Sequence, residues 1–127
     1  MRYTISEAAQ KCSLSAHVLR YYEKEGVLPA VHRSKGGIRY YTEEDLETLG
    51  LICCLKKTGM QLSEIKAFVL LGGKDERSLK ERCEILRRQK ENVERQIEEL
   101  KQSYDKVSRK LEHYTRLLEN FASADQN

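Results

Sequence analysis

The sequence has few of the residues that build membrane spans or rigid loops. It contains one proline, no tryptophan and two phenylalanines in 127 residues. No apolar run approaches the ~20 residues needed to cross a bilayer. The first ten residues are largely polar, which predicts no secretory signal. We therefore expect a cytoplasmic protein that makes no contact with a membrane.

Cysteine is absent from the patterns that bind metals. The four cysteines, at positions 12, 53, 54 and 83, form no CxxC pair, and no histidine lies at ligand spacing from two of them. A structural zinc ion needs four converging ligands, and a chain without an export signal is expected to keep its thiols reduced. The sequence predicts neither a metal site nor a disulfide framework.

Catalytic patterns are missing as well. The three histidines, His17, His32 and His113, are scattered, and no nucleophile lies near an acid–base pair. No glycine-rich loop of the kind that holds phosphates occurs. We therefore expect that the protein is not an enzyme and uses no cofactor.

Charged residues make up 34% of the sequence, and they are unevenly distributed. Residues 1–41 hold seven bases and three acids, a net charge of +4, whereas residues 42–127 hold 16 bases and 17 acids. A compact basic region favours a polyanionic partner, and a nearly neutral remainder favours a protein partner.

Helix-capping residues divide the N-terminal part into short helices. Thr4 and Glu7 have the spacing of a capping box. Ser15 is a favoured N-cap for a second helix, which ends at Gly26 with Pro29 beyond it. Two short helices joined by a tight turn predict a helix-turn-helix. The helices predicted for this part cover residues 4–11, 15–25, 43–58 and 62–71.

A pair of glycines, Gly36 and Gly37, lies between two short runs with β propensity, directly after the helix-turn-helix. This pattern predicts a hairpin. The hairpin carries Arg33, Lys35 and Arg39, whose charges can bind DNA phosphates and release counterions. The alternative is a solvated basic loop, but the position beside a helix-turn-helix favours a DNA-binding wing.

From Ser78 onward, one heptad pattern continues almost to the end of the sequence. Ser78 and Glu81 form a second capping box, and twelve of the thirteen a and d positions up to Phe121 are apolar, Lys90 being the exception. Six heptads span roughly 60 Å. A helix folded back on its own head would leave most of this seam exposed, so we expect a homodimer. The predicted interface consists of Leu79, Leu86, Val93, Ile97, Leu100, Tyr104, Val107, Leu111, Tyr114 and Leu118.

These patterns together predict an all-α-dominated fold in two parts. Residues 1–73 form a winged helix-turn-helix head with a small β-hairpin. Residues 74–127 form a long coiled-coil helix with a short tail.

The second helix carries the residues that we expect to read DNA. Ser15 and Ala16 are small enough to let the backbone approach the major groove, and Arg20 can bind phosphate or guanine. His17 is either a base contact or an exposed spectator. Of the two adjacent tyrosines, one is expected in the core while the other donates its hydroxyl to a phosphate. The candidate contacts on this helix are Ser15, Ala16, His17, Arg20, Tyr21 and Tyr22.

Several ordered segments resemble those of the MerR family of bacterial transcription regulators. They are TISEAA (4–9), LRYYEKEGVLP (19–29), GIRYY (37–41), EDL (44–46) and GMQLSEI (59–65). The resemblance extends over essentially the whole chain. It implies a winged-helix head, a second wing around the third and fourth helices, and an antiparallel coiled-coil dimer.

The resemblance also implies a mechanism. Members of the family bind a pseudo-palindromic promoter with an overlong spacer and, on sensing an effector, bend and untwist it so that RNA polymerase can engage both promoter elements. By position, the family's contacts to DNA correspond to Arg20 and Tyr22 in the recognition helix, Arg39 and Tyr41 in the wing, and Lys57 at the second wing.

For the signal, the resemblance favours a thiol. Metal-sensing members combine a cysteine at the position of Cys83 with cysteines in a later loop, but residues 119–127 contain neither cysteine nor histidine. Drug-sensing members add a ligand-binding domain, which we do not expect here. Cys54 matches the cysteine of the short thiol-based branch (NmlR- and AdhR-like) that answers aldehydes and nitrosative stress, and Cys53 is the second candidate sensor.

The neighbours of these cysteines support two different roles. Lys56 and Lys57 are expected to lower the pKa of a nearby thiol and so favour the reactive thiolate. The surrounding leucines and isoleucine instead indicate cysteines that only pack. A regulator with a non-thiol effector therefore stays open as a hypothesis. So does a coiled-coil scaffold protein with a basic docking head.

Overall fold

The computed structural model describes residues 1–28 and 31–125 and contains, within them, five helices and one two-stranded hairpin. The predicted all-α-dominated fold is confirmed, with its helix-turn-helix head, hairpin wing and long C-terminal helix. The predicted helix stop at Pro29 lies outside the described residues. The elements are α1 (Ile5–Lys11), α2 (Ala16–Lys24), β1 (His32–Arg33), β2 (Arg39–Tyr40), α3 (Glu43–Lys57), α4 (Leu62–Leu70) and α5 (Glu76–Asp125).

The predicted caps of α1 and α2 are present. The Thr4 hydroxyl accepts a hydrogen bond from the backbone N–H of Glu7 at 3.1 Å, and the Glu7 carboxylate accepts one from the Thr4 N–H at 3.0 Å. Ser15 caps α2 by accepting from the N–H of Val18 at 3.2 Å. Gly26 follows α2 with a φ of +73°, the left-handed conformation that glycine adopts without steric cost. Helices α1 and α2 therefore begin at residues that the sequence marks, and α2 also ends at one.

The hairpin is short, and the N-terminus of the chain holds it to the head. β1 and β2 pair antiparallel, with His32 opposite Tyr40 and Arg33 opposite Arg39. Beyond β2, the backbone of Tyr41 exchanges two hydrogen bonds of 2.8 Å with the backbone of Tyr3. This bridge fixes the base of the hairpin against the start of the chain.

Helix α3 is the centre of the head because it contributes to both hydrophobic clusters. Leu49 packs in one cluster with Ala8 and Leu19, from α1 and α2. One turn further on, Ile52 and Leu55 belong to the other cluster, which also contains residues of α2 and α4. The same helix therefore supports the helix-turn-helix at one end and α4 at the other.

Helix α5 begins earlier than the capping box at Ser78 predicts, so that prediction is wrong. The helix starts at Glu76, and the Asp75 carboxylate accepts a hydrogen bond from the Ser78 N–H at 3.2 Å. Hydrogen bonds from Ser78 lower the pKa of Asp75 and favour its charged form. A carboxylate at this helix start also interacts favourably with the helix dipole.

The chain divides into two compact units, Met1–Gln89 and Lys90–Asn127. The first unit includes the start of α5, which contacts the head at two residues. Ile85 packs against the cluster that contains Ile52 and Leu55, and the Arg82 guanidinium lies 5.4 Å from the centre of the Phe68 ring. The functional division between residues 73 and 74 stays a prediction. None of the described helices is long and apolar enough to span a membrane.

Candidate nucleic-acid interface

One face of α2 is exposed and basic. His17, Arg20, Tyr21 and Lys24 are all exposed and follow the i, i+3, i+4, i+7 spacing of a single helix face. Ser15 is exposed at the N-terminus of the helix, and Ala16 is partly buried. The structure therefore brings together the predicted recognition residues, apart from Tyr22. Lys24 was not predicted, although its spacing from the other three would have found it.

Tyr22 does not lie on this face, so its assignment to the DNA surface is wrong. Its side chain is 7% exposed and packs in the cluster that contains Val27 and Ile52. Burial raises the pKa of Tyr22. Tyr21 is 43% exposed, so the expectation that one tyrosine of the pair lies in the core is confirmed.

The two arginines of the hairpin are bound to α2 by one carboxylate. Arg39 Nε lies 2.6 Å from one oxygen of Glu23, and an Arg33 guanidinium nitrogen lies 3.3 Å from the other. Arg33 also donates to the carbonyl of Gly37 at 3.1 Å. Glu23 therefore fixes the hairpin against the recognition helix while the side chain of Arg33 stays 47% exposed.

Tyr41 is a second correction to the predicted surface. It is 2% exposed and packs in the cluster around Leu19 and Leu49. Its hydroxyl is buried and has no hydrogen-bond partner among the described residues. Burial, with the nearby Glu23 carboxylate, raises the pKa of Tyr41. The backbone bridge to Tyr3 places this residue at the base of the hairpin, under the wing rather than on it.

Three further cations are exposed elsewhere in the head. Lys35 is exposed at the hairpin tip, and Lys57 is exposed at the end of α3. The guanidinium of Arg2 lies 4.1 Å from the centre of the Tyr40 ring, where a cation–π contact orients it. Arg2 was not predicted as a site residue, and its contact with the hairpin crosses 38 positions of sequence, beyond the reach of any local pattern.

The two candidate sensor thiols differ in exposure. Cys54 is exposed, whereas Cys53 is partly buried on α3. Burial, with the nearby Cys12 thiol, raises the pKa of Cys53. This is opposite to the shift expected from the neighbouring lysines, so the prediction of an activated thiol is wrong for Cys53. Within residues 1–28 and 31–125, no group of three or more potential ligand side chains could hold a metal ion.

Comparison with known proteins identifies relatives of the sequence. Residues 3–70 match the family of MerR HTH family regulatory proteins, and residues 46–110 match the family described as MerR, DNA binding. The chain is 43% identical over 93 residues to an uncharacterized HTH-type transcriptional regulator of Haemophilus influenzae, covering 73% of this chain and 69% of that protein. It is 32% identical over 89 residues to the HTH-type transcriptional regulator AdhR of Bacillus subtilis, covering 70% and 64%.

The fold is similar to that of a solved regulator. HiNmlR, a MerR family regulator lacking the sensor domain and crystallised bound to promoter DNA, superimposes with a TM-score of 0.83 at 42% identity, covering 91% of this chain and 92% of that one. These relatives are transcriptional regulators, a non-enzymatic class, which confirms that the protein is not an enzyme. The chain belongs to the MerR family of helix-turn-helix regulatory proteins.

Proposed function

We propose that this protein is a dimeric, sequence-specific transcription regulator that binds promoter DNA with α2 and the hairpin. The observation that carries the proposal is that Glu23 joins α2, which has an exposed basic face, to the two arginines of the wing. The similar HiNmlR is bound to promoter DNA in its crystal structure. A coiled-coil scaffold with a basic docking head would not need a recognition helix held to a wing in this way.

The residues of this surface divide into two roles. The small side chains of Ser15 and Ala16 let the N-terminus of α2 enter the major groove, where His17 and Arg20 reach base edges. The remaining side chains bind phosphates on either side of the groove. They set the position of the head without reading the sequence. These backbone contacts are Tyr21, Lys24, Arg33, Lys35, Arg39 and Lys57.

The seam of α5 supports the homodimer. Between Ile97 and Phe121 its large apolar side chains are 56–72% exposed, and a helix of this kind is stable in water when a partner covers the seam. A second copy, packed antiparallel, presents the same residues at the same spacing. Two heads on one coil then match the two halves of a pseudo-palindromic site.

Regulation in this proposal acts through the shape of the DNA. Two heads fixed to one coil can bend and untwist the spacer between their half-sites, which brings the promoter elements into the alignment that RNA polymerase requires. The functional partner is therefore polymerase on the same DNA, with no protein–protein contact required.

Cys54 is the proposed sensor, which places the protein in the thiol-based branch of NmlR- and AdhR-like regulators. It is exposed on α3, and the similar proteins include HiNmlR and AdhR. With an aldehyde, the sulfur forms a bond to the carbonyl carbon, the C=O π pair moves to the oxygen, and the thiol proton ends there. The product is a hemithioacetal, and nothing is oxidised or reduced.

Arg20→Ala tests the DNA surface. We expect retardation of the fragment upstream of the protein's own gene to weaken at least about tenfold, the effect of losing one base or phosphate contact, while the dimer persists in sedimentation. Arg109→Ala removes the same charge from the outer face of α5 and is expected to keep the affinity. Equal affinities for the two variants would exclude α2 from the interface.

Cys54→Ser tests the sensor separately. The variant is expected to bind the promoter like the wild type and to lose induction by formaldehyde in a reporter strain, because serine cannot supply a thiolate. Cys53→Ser should keep the response. Full induction of the Cys54→Ser variant would move the signal to a non-thiol effector and leave the DNA-binding function intact.

A further inference from the structure

Gln89 is the one buried side chain among the described residues that is not hydrophobic. It is 7% exposed on α5, and its amide nitrogen donates to the Thr58 hydroxyl at 2.6 Å and to the Thr58 carbonyl at 3.3 Å. A buried amide is stable only when it is hydrogen-bonded. The two bonds therefore fix the first turns of α5 to the C-cap residue of α3.

Thr58 connects this link to Cys54. The Thr58 hydroxyl, which accepts from Gln89, donates to the carbonyl of Cys54 at 2.8 Å, and the Thr58 N–H donates to the same carbonyl at 3.1 Å. Side chains four residues apart on a helix are neighbours, with Cβ atoms about 5–6 Å apart. The side chain of the exposed Cys54 thus lies one turn from the hydroxyl that holds Gln89.

The rest of the α3 terminus is closed by its own backbone. Gly59, at a φ of +100°, donates to Lys56 at 3.1 Å, and the Met60 N–H donates to the Leu55 carbonyl at 3.0 Å. This pattern is a Schellman motif, and Leu55 and Met60 pack in the same cluster as Ile85 of α5. These backbone hydrogen bonds close the turn without the Thr58 side chain, so that side chain can rotate without breaking them.

Helix α5 uses separate faces for the head and for the seam. Arg82, Ile85 and Gln89 contact the head, whereas Leu79 and Leu86 lie on the exposed seam. At 3.6 residues per turn the two faces are about 80° apart. A rotation of α5 against α3 therefore changes the orientation of the seam.

We propose that Gln89 is a positioning residue that holds α5 against α3 in the resting state, and that an adduct on Cys54 releases it. Atoms added to the sulfur crowd the Thr58 side chain and turn its hydroxyl away from Gln89. Helix α5 then shifts against the end of α3, and the paired heads adopt the spacing of the active state. The inference rests on the proposed sensor role of Cys54.

The test uses N-ethylmaleimide on the full-length protein bound to its upstream promoter fragment. The Cys54 thiol adds across the maleimide double bond: a sulfur–carbon bond forms, and the alkene π pair takes the thiol proton at the adjacent carbon. Every protein compared carries Cys83→Ala, which removes the second exposed thiol. The readouts are the mass of the Cys54 adduct, the promoter affinity, and energy transfer between dyes at the two ends of the fragment.

Gln89→Met keeps the length of the side chain and removes the donor. Before modification, DNA bound to this variant is expected to show the energy transfer of DNA bound to the modified parent protein. Modification of the variant should then change the energy transfer at least about fivefold less than modification of the parent does. Adduct yield and promoter affinity should stay at the level of the parent. A merely structural role for Gln89 would lower the affinity or the dimer content instead.

Two Thr58 variants keep the inference testable if Gln89→Met does not fold. Thr58→Val removes the hydroxyl at nearly constant shape and should behave like Gln89→Met, whereas Thr58→Ser keeps the hydroxyl and should behave like the parent. If the adduct leaves the energy transfer of the DNA bound to the parent protein unchanged, the sensor role of Cys54 is overturned. A responding parent, with Gln89→Met and Thr58→Val responding equally, would overturn the role of Gln89 alone.

Discussion

Residues 1–89 and residues 90–125 differ in how far they bury their hydrophobic side chains within one chain. The first region buries thirteen hydrophobic side chains within one chain, whereas no side chain of residues 90–125 is buried. Both regions have regular secondary structure, so helix content does not distinguish them. The head has the core of an independent domain. In the proposed homodimer a second copy covers the helix beyond it, so we expect the stability of that helix to depend on protein concentration.

The two regions also differ in how their ion pairs are built. Along α5 the pairs join residues three or four apart, such as Arg77 with Glu81 and Arg87 with Glu84, and exposed pairs of this kind contribute less than about 1 kcal/mol. In the head, Glu23 joins two arginines that lie 10 and 16 positions away. The ion pairs along α5 therefore add little to its stability, whereas those of Glu23 connect the wing to α2.

The largest effect is expected at the seam. Leu100→Asp places a charge at a d position of both copies, which should weaken the dimer by about 4 kcal/mol, roughly a thousandfold in dissociation constant. Sedimentation equilibrium measures the dissociation, and amide exchange in α3 should stay unchanged because the head has its own core. Gln102→Asp, on the outer face, is the control and should remain dimeric. Faster exchange throughout the head of the Leu100 variant would show that the head depends on the dimer.

A smaller effect is expected at Glu23, which connects α2 to the hairpin within the head. Glu23→Gln removes the charge that orients Arg33 and Arg39, so the affinity for the promoter should fall about fivefold, or about 1 kcal/mol. Affinity for random DNA should not fall, because it depends on charge rather than on position. Fluorescence anisotropy with both duplexes measures the ratio. Glu25→Gln, an equal change of charge on an exposed neighbour, should raise or preserve both affinities.

Local signals predicted much of this architecture. The caps at Thr4 and Ser15 both form as side-chain hydrogen bonds, and the glycine pair marks the hairpin, because each feature depends on residues within a few positions of one another. The start of α5 was misplaced because Asp75 and Ser78 both offer a capping side chain, and the pattern does not rank them. The first acceptor along the chain is the one used.

The candidate site was predictable only in part. Exposed residues of α2 follow from helix spacing, but the burial of Tyr22 and Tyr41 depends on which face meets α3, a tertiary contact that a family motif does not specify. The bridging role of Glu23 and the bond from Gln89 to Thr58 cross 10 to 31 positions. No periodicity in the sequence connects such pairs, so they become visible only in the folded chain.

The smallest effect is expected in the turn of the helix-turn-helix. Ser13 has a φ of +56°, a left-handed conformation that costs a non-glycine residue about 1–2 kcal/mol. Ser13→Gly removes this strain but adds freedom to the unfolded chain, so the head should gain somewhat less than about 1 kcal/mol. Urea unfolding at fixed protein concentration measures it, with Ser6→Gly in α1 as the control that should lose stability. A loss of stability in both variants would mean that the turn is not strained, whereas a gain for Ser13→Gly alone would show that backbone strain in this turn lowers the stability of the head.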